Sequence, residues 1–184
     1  MDKLEELKSV HQKVMDFTFN CDNKASFLGA VIGIMVTAVA SASPFWEIVK
    51  DLLKSARLFW SEEANVAFDW QSLIVGIFLV ISVCTLIAAV ILILCVLLPR
   101  LGKSYGDSRI YFGSVGSMLK EEYAESVREE NDKTICEDYV NQVHICSQVC
   151  LKKFLYYRYA VWLTAISIGA FALFSIFVLI FKSI

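Results

Sequence analysis

The side chains best suited to chemistry in this chain gather between positions 100 and 158. Arg100, Lys103, Arg109, Lys152, Lys153 and Arg158 are cations that could meet an anionic group. Tyr105, Tyr111, Phe112 and Tyr123 offer flat faces for stacking. Asn141, Gln142 and Gln148 both donate and accept at the edge of a partner. Gly113 and Gly116 would let backbone approach closely. These are binding groups. Each also has a plainer role: basic residues beside apolar stretches commonly snorkel to lipid headgroups, as Arg100, Lys152, Lys153 and Arg158 would. Tyr111 and Phe112 could serve as a small hydrophobic anchor, and Asp22 could pair with Lys24 or Arg100 at a membrane surface.

Bond-making chemistry finds little support. Cys146 and Cys150 are four apart and share a helical face, but His144 points elsewhere and Cys136 fits no common zinc spacing. Small buried thiols are the expected reading, and no metal or other cofactor is expected. The acid pairs Glu121-Glu122 and Glu129-Glu130 read as a solvated helix face. The chain shows no nucleophile motif, P-loop or glycine fingerprint. No enzyme is expected.

The elements that must position these groups follow from how the apolar residues are bunched. Of the 184 residues 57% are hydrophobic and 20% charged, and mean hydropathy is +0.59. So short a soluble chain has too little interior for that much apolar surface. No charge falls between Lys24 and Glu47, between Trp70 and Pro99, or between Tyr159 and Phe181. Each block reaches the roughly 20 residues needed to cross hydrocarbon as a helix. Pro44 and Pro99 punctuate block edges. The first block, rich in Gly, Ala and Ser, is expected to be a retained span, because residues 1–24 are too long and acidic for a signal peptide's leading region. Its small residues suit close helix approach.

Basic residues orient the spans. An N-terminus inside places thirteen Lys and Arg in the cytoplasm and four outside, the bias seen in membrane proteins. Aromatic residues at the edges, Phe45, Trp46, Trp70, Tyr156, Tyr157, Tyr159 and Trp162, form an interfacial belt. Cys21, Cys136, Cys146 and Cys150 would then be cytoplasmic and reduced. Residues 1–20 carry Leu4, Leu7, Val10, Val14 and Phe17 at helical spacing, and residues 44–60 form a second amphipathic helix with Lys50, Lys54 and Arg57 on its polar side. Between Gly102 and Gly116 a loop is expected, then a helix over 117–130, then a long helix from near Lys133 into the third span.

The expected architecture is an all-α membrane protein: three transmembrane helices, cytoplasmic helical extensions and one amphipathic interfacial helix. Its parts are a cytoplasmic N-terminal helix at 1–24, spans at 25–43, 70–99 and 159–181, an external loop with the interfacial helix at 44–69, and a cytoplasmic helical region at 100–158. The net charge of −2 gives no general attraction for nucleic acid, and none is expected as a partner.

Several short strings in order resemble one family across nearly the whole chain. They are Asp22-Asn23-Lys24-Ala25-Ser26 opening the first span, Leu98-Pro99-Arg100-Leu101 closing the second, Tyr111-Phe112-Gly113 soon after, and Gln142-Val143-His144 with Lys152-Lys153-Phe154 before the third. They resemble the transmembrane effectors of Pycsar, a bacterial antiphage system that signals with cyclic pyrimidine nucleotides. The resemblance implies a multi-pass protein of the bacterial inner membrane, with its N-terminus cytoplasmic. A partner cyclase would make cCMP or cUMP; the effector would bind it, assemble as a homo-oligomer, and damage the bilayer so that infection aborts. This chain departs from larger relatives in carrying no fused soluble enzyme domain, so the helices themselves would have to bind the ligand. Such a ligand wants a cation, a stacking face and amide edges. The candidates are Arg100, Arg109, Tyr111, Phe112, Gln142 and Lys153, while Asp22, Lys24 and Arg158 are the expected membrane-proximal structural residues. Two other functions stay open on the residues alone: a constitutive membrane scaffold, or a small holin-like pore without a ligand. Scattered Ser and Thr in uncharged spans argue against a polar pore.

Overall fold

A computed structural model describes residues 3–60, 70–98, 108–129 and 131–182. Within them the chain forms α1 (Lys3–Ala40), α2 (Ser43–Trp60), α3 (Trp70–Leu97), α4 (Phe112–Ser117), α5 (Lys120–Arg128) and α6 (Asp132–Lys182). No strand occurs among the described residues. The helices α1, α3 and α6 are each long and apolar enough to cross a membrane.

The chain divides into two units: Met1–Ala25 with Cys95–Tyr157, and Ser26–Leu94 with Arg158–Ile184. Helices α1, α3 and α6 contribute to both.

The second unit is built inside out relative to a soluble core. Its exterior shows large apolar side chains such as Phe27, Ile34, Val80, Ile91, Trp162 and Leu179. Its interior holds many small or polar ones: Ser82, Ala89, Ala160, Thr164, Ser167 and Ala170. Lipid tails are as apolar as leucine, so helices there gain from close packing and interhelical hydrogen bonds rather than from burying apolar surface. The main such bond is mutual. The Ser82 hydroxyl donates to the Ser167 carbonyl at 3.0 Å, and the Ser167 hydroxyl donates to the Ser82 carbonyl at 2.8 Å. Phe78 stacks on Phe177 with centroids 5.5 Å apart. Numbers rise on α3 as they fall on α6, so the two run antiparallel. Gly29 of α1 approaches Ile93 of α3 at ordinary contact distance, where a Cβ would lie 3.6 Å from the isoleucine methyl.

At the end of α1 the orphan carbonyls expected of any helix terminus find partners. The Trp46 indole N–H donates to the Ala40 carbonyl at 2.7 Å, and Ser41 N–H donates to the Thr37 carbonyl at 3.0 Å. The chain thus turns into α2 within two residues, with Phe45 edge-on to Trp46. On α2, Lys50, Asp51, Lys54 and Arg57 are exposed while Ile48, Val49 and Leu52 are half-buried; Leu53, of the same apolar stripe, is exposed.

In the first unit, α1 and α6 pack in parallel. His11 meets Tyr139 and Cys146, and Asp22 meets Lys153, so numbers rise together on both helices. The protected positions of α1 include Leu4, Leu7, His11, Val14, Thr18, Cys21 and Ala25; those of α6 include Tyr139, Gln142, Cys146, Val149, Lys153 and Tyr156. Both sets alternate three and four residues, the 3.5-residue repeat of helices wound together. This corrects the stripe expected from apolar spacing. Val10 and Phe17 are exposed, and His11 and Thr18 take the inward places. The repeat of the partner helix, not hydrophobicity alone, selects the face.

Two further expectations shift. The end of the stretch expected as loop up to Gly116 forms α4 from Phe112, where the Tyr111 carbonyl accepts from Ser114 and Val115 N–H. The following helix starts at Lys120 rather than 117, because Met118 and Leu119 are extended at ψ 150°. Leu119 has no side-chain acceptor, but its N–H donates to the Glu122 carboxylate at 3.4 Å, the reciprocal half of a capping box. α6 is opened by Asn131, whose side-chain oxygen accepts from Lys133 and Thr134 N–H at 3.1 and 3.0 Å.

Replacing Ser82 or Ser167 by Ala should lower stability in detergent by about 0.6–1.7 kcal/mol, the range for one interhelical bond in a membrane protein. Ser82→Leu should cost more, since the site is buried. Denaturant titration of purified protein reads this, and an unchanged midpoint for all three variants would remove the mutual bond from the account.

Candidate functional site

Two polar constructions lie on the α6 side of the first unit. The upstream one centres on Ser108, which is buried. Its hydroxyl donates to Asp138 Oδ1 at 2.8 Å and accepts from the Gln142 amide at 3.0 Å. The same oxygen accepts from Tyr111 N–H at 3.1 Å, with Ile110 N–H at 3.3 Å sharing it. The other Asp138 oxygen accepts from Arg109 N–H at 2.9 Å. Asp138 and Gln142 are four apart and so project from one face of α6. The result fastens the segment before α4 to the long helix. Gln142 is buried within it.

That fastening holds the backbone of Arg109 and Tyr111 against α6, and Phe112 follows directly. Tyr111 lies against Phe112, ring centroids 4.9 Å apart, and Phe112 is 69% exposed. Gly113 is required here for space: a Cβ would fall 2.5 Å from Tyr111 Cε1, so any other residue displaces that ring. Gly116 has open space instead.

The downstream construction is an ion pair. Lys153 Nζ contacts both oxygens of Asp22, at 2.7 and 2.8 Å. The lysine side chain is 9% exposed and the aspartate's 32%. Asp22 therefore pairs with a residue on the partner helix, while the expected partner Lys24 is exposed and Arg100 lies outside the described residues. Lys24 and Arg158 are exposed. Gln142 and Lys153 are eleven residues apart on one helix, about 16 Å at the helical rise, so the candidate ligand residues fall into two groups. Arg100, Lys103 and Tyr105 lie outside the described residues.

Cys21 lies beside the ion pair and near Cys150, and Cys150 in turn lies near Cys146. Burial, then the neighbouring Asp22 carboxylate and Cys150, pushes the Cys21 thiol up; Lys153 and Lys24 pull the other way. Burial, then Cys150, pushes Cys146 up as well. Cys146 Sγ lies 4.0 Å from His11 Nε2, a weak contact. His144, expected to point away from the thiols, meets the exposed Gln148 at 2.9 Å. Among the described residues no three His, Cys, Asp or Glu side chains converge as a metal site would need.

With this geometry in hand, the family model described as Pycsar effector protein domain, PycTM, matches residues 6–181. The chain belongs to that family. The match spans α1 through α6, so the effector domain is this helical protein rather than an appendage to it. PycTM membership makes the chain an effector of antiphage defence and implies a partner cyclase with a cyclic-nucleotide signal. The three apolar helices make it a multi-pass membrane protein. Comparison with curated proteins and with solved structures returns no match.

Sequence reasoning missed Ser108 and Asp138. The only available signal was Asp138 four residues before Gln142, a spacing shared by many helical pairs. The Asp22–Lys153 pair was missed because 131 residues separate its members.

Asp22→Ala strands a buried ammonium and should cost about 3 kcal/mol, the low end for a broken buried pair given the exposure of Asp22. Adding Lys153→Met should recover most of it, because the second change removes the unpaired charge. Thermal midpoints of wild type and the two variants decide this; a double variant as unstable as the single one would deny the pair its place in the seam.

The raised thiols predict slow alkylation of Cys21 and Cys146 near neutral pH relative to free glutathione, accelerating only above the ordinary thiol range. The folded thiol holds its proton more tightly than the unfolded one. Its contribution to stability is therefore present below the ordinary thiol pKa and lost as pH rises through the folded value. Mass-spectrometric labelling across pH reads both sites, and labelling as fast as glutathione at neutral pH would show the thiols unprotected.

Proposed function

We propose that this chain is an inner-membrane executioner switched by a cyclic pyrimidine mononucleotide, cCMP or cUMP, with its N-terminal residues 1–24 and the segment 100–158 in the cytoplasm. The family match over 6–181 carries the reading. The excess of Lys and Arg in residues 1–24 and 100–158 supports the orientation. In this reading Arg109, Tyr111 and Phe112, together with Arg100, receive the nucleotide. The guanidiniums meet its phosphodiester, and an exposed ring stacks on its base. Gln142 holds the receiving segment to α6 through Ser108, and Lys153 holds α6 to α1 through Asp22.

Binding then favours an assembly of several chains whose spans rearrange and let the bilayer leak. A ligand shifts such an equilibrium only by the difference between its affinities for the two states. A resting state below about one part in a hundred, converted nearly completely, asks for roughly 5.5 kcal/mol of that difference. A mononucleotide therefore acts best through several copies at once.

Calorimetry on detergent-purified chain with cCMP, cUMP, cAMP and cGMP, run beside dye release from vesicles holding the same protein, tests the reading. Heat and leakage with one pyrimidine nucleotide, and neither with the purines, are expected. Arg109→Ala and Phe112→Ala should each weaken binding by tenfold or more, Phe112→Ala without lowering thermal stability by a comparable step. Absence of heat and of leakage with both pyrimidine ligands overturns the proposal, as does leakage that ignores ligand altogether.

A further inference from the structure

Beside the α1–α6 seam of the first unit runs a groove lined by Lys3, Glu6, Leu7 and Val10 of α1 and by Lys133, Cys136, Glu137, Val140 and Asn141 of α6. Its floor is apolar and open: Val10 is 38% and Val140 51% exposed. The α1 wall continues one helical repeat further in Phe17, which is 59% exposed and seven residues beyond Val10. Val10 and Phe17 are the members of the apolar stripe that the partner helix leaves outside the seam. The groove is therefore a second helix-sized face at the same 3.5-residue repeat, next to one that is already filled.

The charges on its rim argue for what fills it. Each helix contributes one base and one acid, Lys3 with Glu6 and Lys133 with Glu137. The sum is zero. A phosphate-bearing ligand or nucleic acid finds no net attraction there, while a second copy of the same surface meets no net repulsion. Like layers also need not clash, because each lysine stands about one turn before a glutamate on the same helix, within reach of an acid on a parallel neighbour. Direction is fixed by the membrane: copies inserted in one bilayer share their orientation, so α1 of a neighbour runs parallel to α1 and α6 here. Parallel packing at the heptad repeat is what the filled seam already shows.

We infer that this groove receives α1 of a second copy of the chain, residues 3–17, in parallel, with Val10 and Phe17 as the inserted side chains. By two-fold symmetry the contact is reciprocal, and α1 and α6 of both copies make a parallel four-helix bundle. The inference rests on the self-assembly proposed above and gives it a surface. Asp22–Lys153 and the buried Gln142 lie in the seam within each chain, so they set the register of α1 on α6 that shapes the groove.

Photocrosslinking of the full chain in membranes tests it. Benzoylphenylalanine replaces Val10 in one preparation and exposed Ser9 in another, alone and with cCMP or cUMP added. A crosslinked species of twice the chain mass from position 10, absent from position 9, is expected in at least one of the three conditions. Its peptide map should place the bond on the partner's residues 3–17 or 133–141. Mass measurement of the Val10→Glu, Val140→Glu double variant in detergent should show loss of the assembled species, with the thermal midpoint recorded to show that it still folds. Crosslinks only within one chain, which would mean that its own loop covers the groove, overturn the inference. So do crosslinks only to another protein, or an assembled mass unchanged in the folded double variant. The nucleotide reading fails separately, by absent heat in a chain that still forms the position 10 crosslink.

Discussion

Much of the first unit hangs on the parallel seam between α1 and α6, and that seam is held by polar contacts rather than by bulk. Leucine and valine occupy only part of it; His11, Thr18, Gln142 and Lys153 fill inward places that a dimeric coiled coil would usually give to aliphatic residues. Polar groups at such positions contribute less to stability than well-packed hydrocarbon, because each must be taken out of water. They contribute alignment. Lys153 can satisfy its ammonium on Asp22 in one register only, since a slip of one turn leaves a buried charge with no partner. The 3.5-residue repeat, the place of Gln142 and the position of the segment fastened to Asp138 follow from that register.

The second unit obeys the opposite rule because its solvent is different. Many large aliphatic and aromatic side chains face outward, and alanine, serine and threonine take a large share of the buried places between helices. In water such a molecule would aggregate. In lipid the arrangement is the economical one, since outward leucines lose nothing and inward hydroxyls gain a partner. Ser82 and Ser167 supply the polar contact, Phe78 and Phe177 the dispersion.

The large divisions of this fold were legible in the residues. Three uncharged runs gave the spans, Pro44 and the period of 44–60 gave α2, and the asparagine and threonine near 131–134 mark where α6 begins. Finer features were less legible for identifiable reasons. Glycine and serine hid α4, because a six-residue helix closed onto one carbonyl needs no propensity to speak of. Apolar spacing chose Val10 and Phe17 for the α1 face, whereas the partner's repeat chose His11 and Thr18. Of the candidate residues, Gln142 and the backbone of Arg109 and Tyr111 come together at Ser108 and Asp138, two residues that nothing in their types singled out, and Phe112 lies against Tyr111. Lys153 belongs to a separate contact. Long-range pairing is invisible to spacing, so Asp22 and Lys153 could not have been joined from the string alone.

The mutual serine bond has a mechanical meaning. Each hydroxyl grips the other helix's backbone, so sliding α3 against α6 breaks both bonds in one movement, and no small displacement keeps either. The joint therefore behaves as a detent: the helices sit engaged or release together. A channel-forming rearrangement that began at this joint would be abrupt in time, and a chain caught half-way would not be found.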